Sequence, residues 1–171
     1  VLNLSVALRV RDLCAFLGVD TVMTRDTEEI TYPSQAKTIA SMKKWDTRRR
    51  VEIAESVDSP VFLSIHQNIY PSSGPHGSQV LYAQNEPSRA LAELIQSRLT
   101  AALLPENRRV PVPAGKDIYI MSHVQCTAVL VECGFLSHPQ ELSLLQSADY
   151  QKKIASVLTA CYLQFTEKGV L

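Results

Sequence analysis

Two apolar runs, each ended by polar side chains, limit the folds that this chain can adopt. Residues 61–65 and 129–131 are apolar apart from one serine, and they lead directly into His66 and Glu132. Short apolar runs of this kind predict strands that are buried within a sheet. Ligand crevices in α/β sheets lie at the carboxyl ends of such strands, so His66 and Glu132 are candidates for one site. Taken singly, each has an ordinary alternative: a hydrogen-bonded core histidine and a solvated strand end.

The rest of the chain alternates between helical periodicity and strand-like runs. Helices are predicted for residues 2–17, 34–56, about 87–103 and from about 147 onwards. Strands are predicted for residues 19–24, 61–68, 79–83, 118–121 and 128–132, with loops at 70–77 and 107–116. This order predicts an α/β fold, a single three-layer α/β/α domain over residues 1–171, around a mostly parallel, twisted sheet.

Composition and charge exclude two classes of partner. The chain has 17 basic and 17 acidic residues, a formal net charge of +0 and 46% hydrophobic residues. A neutral chain offers no electrostatic reason to expect nucleic acid or an anionic membrane surface as a partner. The longest apolar runs are far shorter than the roughly 18–20 residues that a membrane span needs. We therefore expect no nucleic-acid partner and no membrane span.

The four cysteines are not spaced as a zinc site or a redox pair. Most of them lie in apolar segments, where cysteine behaves as a small hydrophobic residue, so reduced, mostly buried thiols are expected. A nucleophilic Cys133 beside Glu132 is the functional alternative. No histidine lies near Cys133 in the sequence to activate it, which disfavours that alternative.

The motifs around the two candidate residues resemble those of a known family. Residues 64–68 read SIHQN and residues 131–137 read VECGFLS. Residues 23–25, Arg50 and Gly77 also fall where that family has its counterparts. In order and spacing, nearly the whole chain resembles the zinc-dependent N-acetylmuramoyl-L-alanine amidases. Within that family, the basic insert at residues 32–44 and the ending at residues 165–169 resemble the spore-cortex, germination-specific members.

The resemblance implies a metal-dependent hydrolysis of an amide. A Zn2+ ion polarises a carbonyl and lowers the pKa of its bound water to about 7. By resemblance, His66 is one zinc ligand and Glu132 is the general base. Asn68 is expected to contact substrate or to orient the strand end, and Arg108 to meet a carboxylate or the developing oxyanion. For Arg108 a solvated loop position is the alternative.

One departure from the family pattern bears on the ligand set. The family begins with a strand whose histidine binds zinc, followed by a glutamate ligand, and neither segment is in this chain. The sheet is therefore expected to lack its first strand, and His76, His123 and His138 do not fall on the family's metal positions. Three explanations stay open: an N-terminally truncated fragment, a natural inactive form that binds peptidoglycan or a partner, or residues omitted from the sequence.

The resemblance also implies a biological setting. Its substrate is the amide bond between N-acetylmuramic acid and L-alanine in the stem peptides of peptidoglycan. Cell-wall or spore-cortex remodelling, and a location outside the cytoplasmic membrane, follow from that substrate. Some spore-type relatives suggest an activating lipoprotein as a further partner.

Overall fold

A computed structural model describes residues 1–167, which form six helices and four strands. The strands are β1 Val61–Asn68, β2 Gln79–Tyr82, β3 Val112–Pro113 and β4 Thr127–Phe135. The helices are α1 Leu2–Phe16, α2 Ile39–Glu55, α3 Glu86–Leu103, α4 Tyr119–His123, α5 Pro139–Gln146 and α6 Ala148–Glu167. None of these helices combines the length and the apolar character needed to cross a bilayer. The ending at residues 165–169 lies partly outside the described residues.

The four strands form one sheet in the order β1-β4-β2-β3. Strand β4 runs parallel to β1 and antiparallel to β2, and β2 runs parallel to β3. Eight of the nine residues of β4 are buried, as expected for a central strand covered on both faces. The predicted α/β class is confirmed, and two of the three strand pairings are parallel.

Helices cover both faces of the sheet, because successive side chains of each strand point to opposite sides. On one face Val129 and Val131 of β4 pack in a core with residues of α1, α3, α5 and α6. On the other face Ala128 and Leu130 pack with residues of α2 and α4. The predicted three-layer arrangement follows from this division, and the polar ends of β1 and β4 lie beyond it.

Local capping fixes where the longer helices begin. The Thr38 hydroxyl accepts a hydrogen bond from the backbone N–H of Ser41, and the Ser41 hydroxyl accepts one from the backbone N–H of Thr38, which makes a capping box before α2. The side-chain oxygen of Asn85 caps α3 by accepting a single hydrogen bond from the N–H of Ser88. Sequence analysis placed the start of the second helix at residue 34, and this cap moves it to Ile39.

Two predicted strands are wrong. Residues 19–24 form no sheet hydrogen bonds and lie across a cleft from β1, so no neighbouring strand is available to pair with them. Residues 118–121 instead begin the short helix α4, since the N–H groups of Ser122 and Val124 bond to carbonyls four residues earlier. Short apolar runs do not distinguish a strand from a buried helical turn. Helix α5 and strand β3 were not predicted.

Candidate active site

Three adjacent strands bring His66, Glu132 and Gln79 side by side. Glu132 on β4 is the register partner of His66 on β1 and of Gln79 on β2. Neighbouring strands lie about 4.8 Å apart and paired residues project to the same face. His66 and Glu132, which the sequence placed at two strand ends, are therefore neighbours near the carboxyl ends of the parallel strands β1 and β4. Gln79 was not predicted as part of this group.

Glu132 occupies a poorly solvated position. Burial raises the pKa of its carboxyl from the ordinary 4.5 to about 7. Its Oε2 atom is buried and has no hydrogen-bond partner among residues 1–167. A carboxyl group that titrates near neutral pH and has an unoccupied oxygen is suited to accept and return a proton.

His66 is held as a neutral imidazole. Burial lowers the pKa of His66, and the positive charge of Arg50 lowers it further. Its Nε2 atom lies 3.1 Å from the hydroxyl oxygen of Ser64, two residues earlier on the same face of β1. Arg50 itself pairs with Asp46 at 2.7 Å on α2. A neutral imidazole retains the nitrogen lone pair that a metal ligand needs.

The strand end beyond His66 is shaped by an irregularity in the sheet. The register between β1 and β4 shifts between His66 and Asn68, so that Asn68 pairs with Phe135. The side-chain oxygen of Asn68 accepts a hydrogen bond from the N–H of Ile69 at 2.8 Å, and its carbonyl accepts one from Leu136. These contacts turn the chain from β1 into the loop at residues 69–78.

Glu141 of α5 joins that loop to the end of β4. Its carboxylate oxygens accept hydrogen bonds from the N–H groups of Gly77 at 2.9 Å and Phe135 at 2.8 Å. The carboxylate packs so close to Gly134 that a Cβ there would lie 3.3 Å from it. Charge-assisted hydrogen bonds to a buried carboxylate are stronger than neutral ones. Glu141 of α5 therefore holds the loop at residues 69–78 against the end of β4.

Arg109 contacts the same loop and the end of β4. Its Nε donates to the carbonyl of His76 at 2.9 Å, and its Nη1 donates to the side-chain oxygen of Gln79 at 2.9 Å. The guanidinium carbon lies 4.7 Å from the centre of the Phe135 ring, a cation–π geometry. Arg109 thus connects the loop at residues 69–78, β2 and the end of β4.

Arg108, the arginine chosen from the sequence, has a different position. Its side chain is exposed, lies in a shallow groove against α3 with Glu93 and Thr100, and has no hydrogen bond or ion pair within the described part of the chain.

Cys133 faces the opposite side of the sheet from Glu132, in the core with Val131. Burial raises the pKa of that thiol to about 12, which argues against a nucleophilic role.

A cleft of about 600 Å3 runs along the outer edge of β1. It lies between β1, α1, α2 and residues 19–25, and His66, Ser64 and Arg50 contribute to its lining. Within residues 1–167, β1 is hydrogen-bonded to a neighbouring strand on one side only, through β4. The N–H and C=O groups on the other side of β1 therefore face the cleft.

The described residues do not form a complete metal site. Among residues 1–167, no three His, Cys, Asp or Glu side chains are placed to hold one ion. A catalytic zinc usually takes three protein ligands. The neutral His66 fits one of these positions, and the described residues do not provide the remaining two.

Comparison with known proteins identifies the family. A family model described as N-acetylmuramoyl-L-alanine amidase matches residues 1–161, which is most of the chain. The chain belongs to this amidase family. The family assignment makes the chain an enzyme domain of the amide-hydrolysing type, as the resemblance of the motifs predicted.

Individual relatives agree with the family match. The germination-specific N-acetylmuramoyl-L-alanine amidase of Bacillus subtilis (strain 168) is 36% identical over 172 residues, covering 98% of this chain and 70% of that protein. The CwlD amidase from Clostridioides difficile, solved in complex with the GerS lipoprotein, gives a TM-score of 0.92 at 30% identity, covering 98% of this chain and 85% of that one. The Ami1 amidase from Mycobacterium smegmatis gives a TM-score of 0.78 at 26% identity.

Three residues that contact the end of β4 or its neighbours were not predicted from the sequence. Gln79 begins a short strand, Arg109 lies in a predicted loop, and Glu141 lies on the unpredicted helix α5. A partial signal was present for Glu141, since it follows His138 by the three-residue spacing of a helix cap. No local pattern distinguishes Arg109 from Arg108, because the difference arises from long-range contacts with residues 76, 79 and 135.

Proposed function

We propose that this domain hydrolyses the amide bond between N-acetylmuramic acid and L-alanine of peptidoglycan stem peptides, in a zinc-dependent reaction. The observation that carries the proposal is the pairing of Glu132, whose pKa is near neutral, with the neutral His66 on the adjacent strand. The family match supports the same reaction class.

Glu132 acts as the general base and then as the general acid. Its unpartnered Oε2 atom takes a proton from the attacking water and later returns it to the leaving nitrogen of L-alanine. An amine is a poor leaving group unless it is protonated as the C–N bond breaks. A carboxyl group with a pKa of about 7 can do both tasks near neutral pH.

His66 is proposed as one zinc ligand, and the described residues 1–167 do not supply two further ligands beside it. When bound, the ion would polarise the scissile carbonyl and acidify water. The cleft beside β1 supports this arrangement, because His66 lines it and the open edge of β1 can pair with one more strand. We propose residues 1–171 as one amidase domain, in which the open edge of β1 is a place where one more strand can pair.

Asn68 and Arg108 remain proposed substrate contacts. Asn68 is beside the site, and its amide nitrogen is available because its oxygen bonds the N–H of Ile69. Arg108 can meet only a part of the substrate that extends over α3, given its exposed position in the groove there. Peptidoglycan is a long polymer, so a contact at that distance from the scissile bond is reasonable.

The direct test of the reaction is Glu132→Gln in the complete protein that carries this domain, loaded with zinc. Release of peptide from a soluble muropeptide is expected to fall by about 10²–10⁴-fold in kcat, because the proton transfers are lost. Zinc content is expected to stay equal to that of the parent. Glu106→Gln, at an exposed loop position, is the matched control and should leave kcat unchanged. Equal kcat for Glu132→Gln and the parent would overturn the assignment.

A second candidate is an amidase-like domain that binds peptidoglycan or a partner without cleaving it. The observation that favours it is the incomplete ligand set of residues 1–167. The two candidates differ in their response to a chelator. Loss of peptide release with EDTA, restored by zinc, supports the enzyme. Metal-independent binding to peptidoglycan with no peptide release, together with no effect of Glu132→Gln, supports the binding domain.

The biological setting is proposed from the relatives. Cell-wall or spore-cortex remodelling, with a role in germination, fits the name of the B. subtilis relative, and a site of action outside the cytoplasmic membrane follows from the substrate. An activating lipoprotein is the proposed partner because the C. difficile relative was solved with one. Co-purification with a lipoprotein from the same genome, and a rise in peptide release on its addition, would test that partner.

A further inference from the structure

Arg109 is held by neutral groups alone. Its Nε and Nη1 donate to a backbone carbonyl and to the carboxamide of Gln79, and its plane packs near the ring of Phe135. It forms no ion pair with a carboxylate among residues 1–167, whereas Arg50 and Arg89 both have carboxylate partners. The full positive charge of this half-buried side chain is therefore uncompensated.

The contacts also leave Arg109 with unused donors. Its Nη2 group donates to no acceptor within the described residues, although it carries two N–H bonds. The other donors fix the guanidinium plane, so little side-chain entropy would be lost when Nη2 binds a ligand. Planar recognition of a carboxylate is the interaction that a guanidinium makes best.

The position of Arg109 relative to the reacting bond follows from the sheet register. Gln79, which accepts from Arg109, is paired with Glu132 across β2 and β4. Paired side chains have Cβ atoms about 5 Å apart, so one side chain separates the guanidinium from the general base. A carboxylate about one residue beyond the scissile amide would reach the guanidinium while that amide lies at Glu132.

We propose that Arg109 binds a carboxylate of the peptide that is released, and so makes the site selective for anionic peptides. This inference depends on the proposed function, since it assigns a substrate contact to the same site. Gln79 takes part as a positioning residue. Its carboxamide is occupied on both sides, by Arg109 and by the carbonyl of Val110, so it orients the guanidinium and is not itself available to substrate.

The test compares two soluble muramoyl peptides that differ only in having free carboxylates or carboxamides along the peptide. The complete zinc-loaded protein is assayed with each, as parent, Arg109→Gln, Arg109→Lys and, as the control, Arg48→Gln at an exposed position of α2. The parent is expected to favour the carboxylate substrate about tenfold in kcat/KM. In Arg109→Gln that preference disappears, through a rise in KM for the carboxylate substrate alone. Arg109→Lys retains part of the preference, and Arg48→Gln retains all of it.

Three outcomes would overturn the inference, and they differ in what they say of the proposed function. If Arg109→Gln and Arg109→Lys keep the parent's preference, Arg109 does not bind the carboxylate and the reaction assignment stands. If both variants slow the two substrates equally, Arg109 has only a structural role. If the parent releases peptide from neither substrate, the proposed function fails and this inference fails with it.

Discussion

Strands β4 and β1 carry the two central residues of the site, but they are supported very differently. Strand β4 is hydrogen-bonded to neighbours on both sides, and eight of its nine residues are buried. Strand β1 is bonded on one side within residues 1–167, and only one of its eight residues, Ser64, is buried. Glu132, the proposed general base, therefore lies on the best-packed strand, where it is the one residue that is not fully buried. His66, the proposed metal ligand, lies on an open edge.

This difference separates two requirements of the site. As a general base Glu132 would need a raised pKa, and its partial burial on a central strand raises that pKa within residues 1–167 alone. As a zinc ligand His66 would need partner ligands, which would approach from the cleft side of β1. A proton-transfer group can thus be preformed in this part of the chain, whereas a metal site on an edge strand depends on what fills the cleft.

The largest expected contrast is in core packing. Ile154 of α6 is 0% exposed and packs against the β4 side of the core, whereas Ile65 of β1 is half-buried and lines the cleft. Ile154→Ala is expected to lower the free energy of unfolding by about 3–4 kcal/mol, because it leaves a cavity that cannot collapse. Ile65→Ala is expected to cost about 1–2 kcal/mol. Urea unfolding of both variants measures the contrast, and equal losses would contradict it.

Hydrogen bonding gives a second, smaller contrast. The hydroxyl of the fully buried Ser88 accepts a hydrogen bond from the N–H of Ala128 at 2.8 Å, near the start of β4. Ser88→Ala leaves that buried N–H unpaired, which is expected to cost about 2 kcal/mol. Ser64→Ala on β1 is the matched control. Among residues 1–167 the Ser64 hydroxyl has the His66 ring as its only hydrogen-bond partner, so its loss is expected to cost less than about 1 kcal/mol.

The same contrast explains what the sequence predicted well. The apolar runs around residues 61–65 and 129–131 identified β1 and β4, because a strand within a sheet carries a run of apolar side chains that its local sequence shows directly. Their polar ends identified His66 and Glu132 for the same reason. Residues 19–24 have a strand-like pattern and still form no strand, since a strand also needs a neighbour to bond with.

Local sequence patterns did not predict the residues that surround the two strand ends. Glu141 is hydrogen-bonded to Gly77, 64 positions earlier in the chain, and to Phe135, 6 positions earlier. Arg109 and Arg108 are adjacent and identical in type and both border the groove beside α3, but only Arg109 is hydrogen-bonded to Gln79 in the folded chain. Sequence alone therefore predicts a candidate base and one candidate ligand, but not the groups that surround them.

A third expectation concerns pH. The pKa of Glu132 in the folded protein is about 7, above its ordinary value of 4.5, so the folded state binds more protons between those values. The free energy of unfolding should therefore receive a contribution from Glu132 that falls as pH rises from about 4.5 to 7. Allowing for partial contact with solvent, the change is on the order of 1 kcal/mol.

The Glu132→Gln variant isolates that contribution. In the presence of EDTA, the free energy of unfolding of Glu132→Gln minus that of the parent should increase steadily between pH 4.5 and 7 and then stay constant. Glu141→Gln is an unsuitable control because it would disturb two backbone hydrogen bonds, so the exposed Glu106→Gln is used. A difference between Glu132→Gln and the parent that does not vary with pH would contradict the dry environment assigned to β4.

In the smallest expected effect, the interaction near β1 is the more stabilising of the two compared. Asp46–Arg50 on α2, near β1, is an i,i+4 ion pair of 2.7 Å whose side chains are each 21% exposed. Arg89–Glu93 on α3 has the same spacing, but its side chains are 55% and 54% exposed and its acidic residue follows the basic one, which is the weaker orientation. Asp46→Asn is expected to cost about 1 kcal/mol and Glu93→Gln about 0.3 kcal/mol. Unfolding in low and high salt checks both values, because the exposed pair should lose its contribution in salt first. A larger cost for Glu93→Gln would mean that α2 is as weakly supported as the edge of β1 it covers.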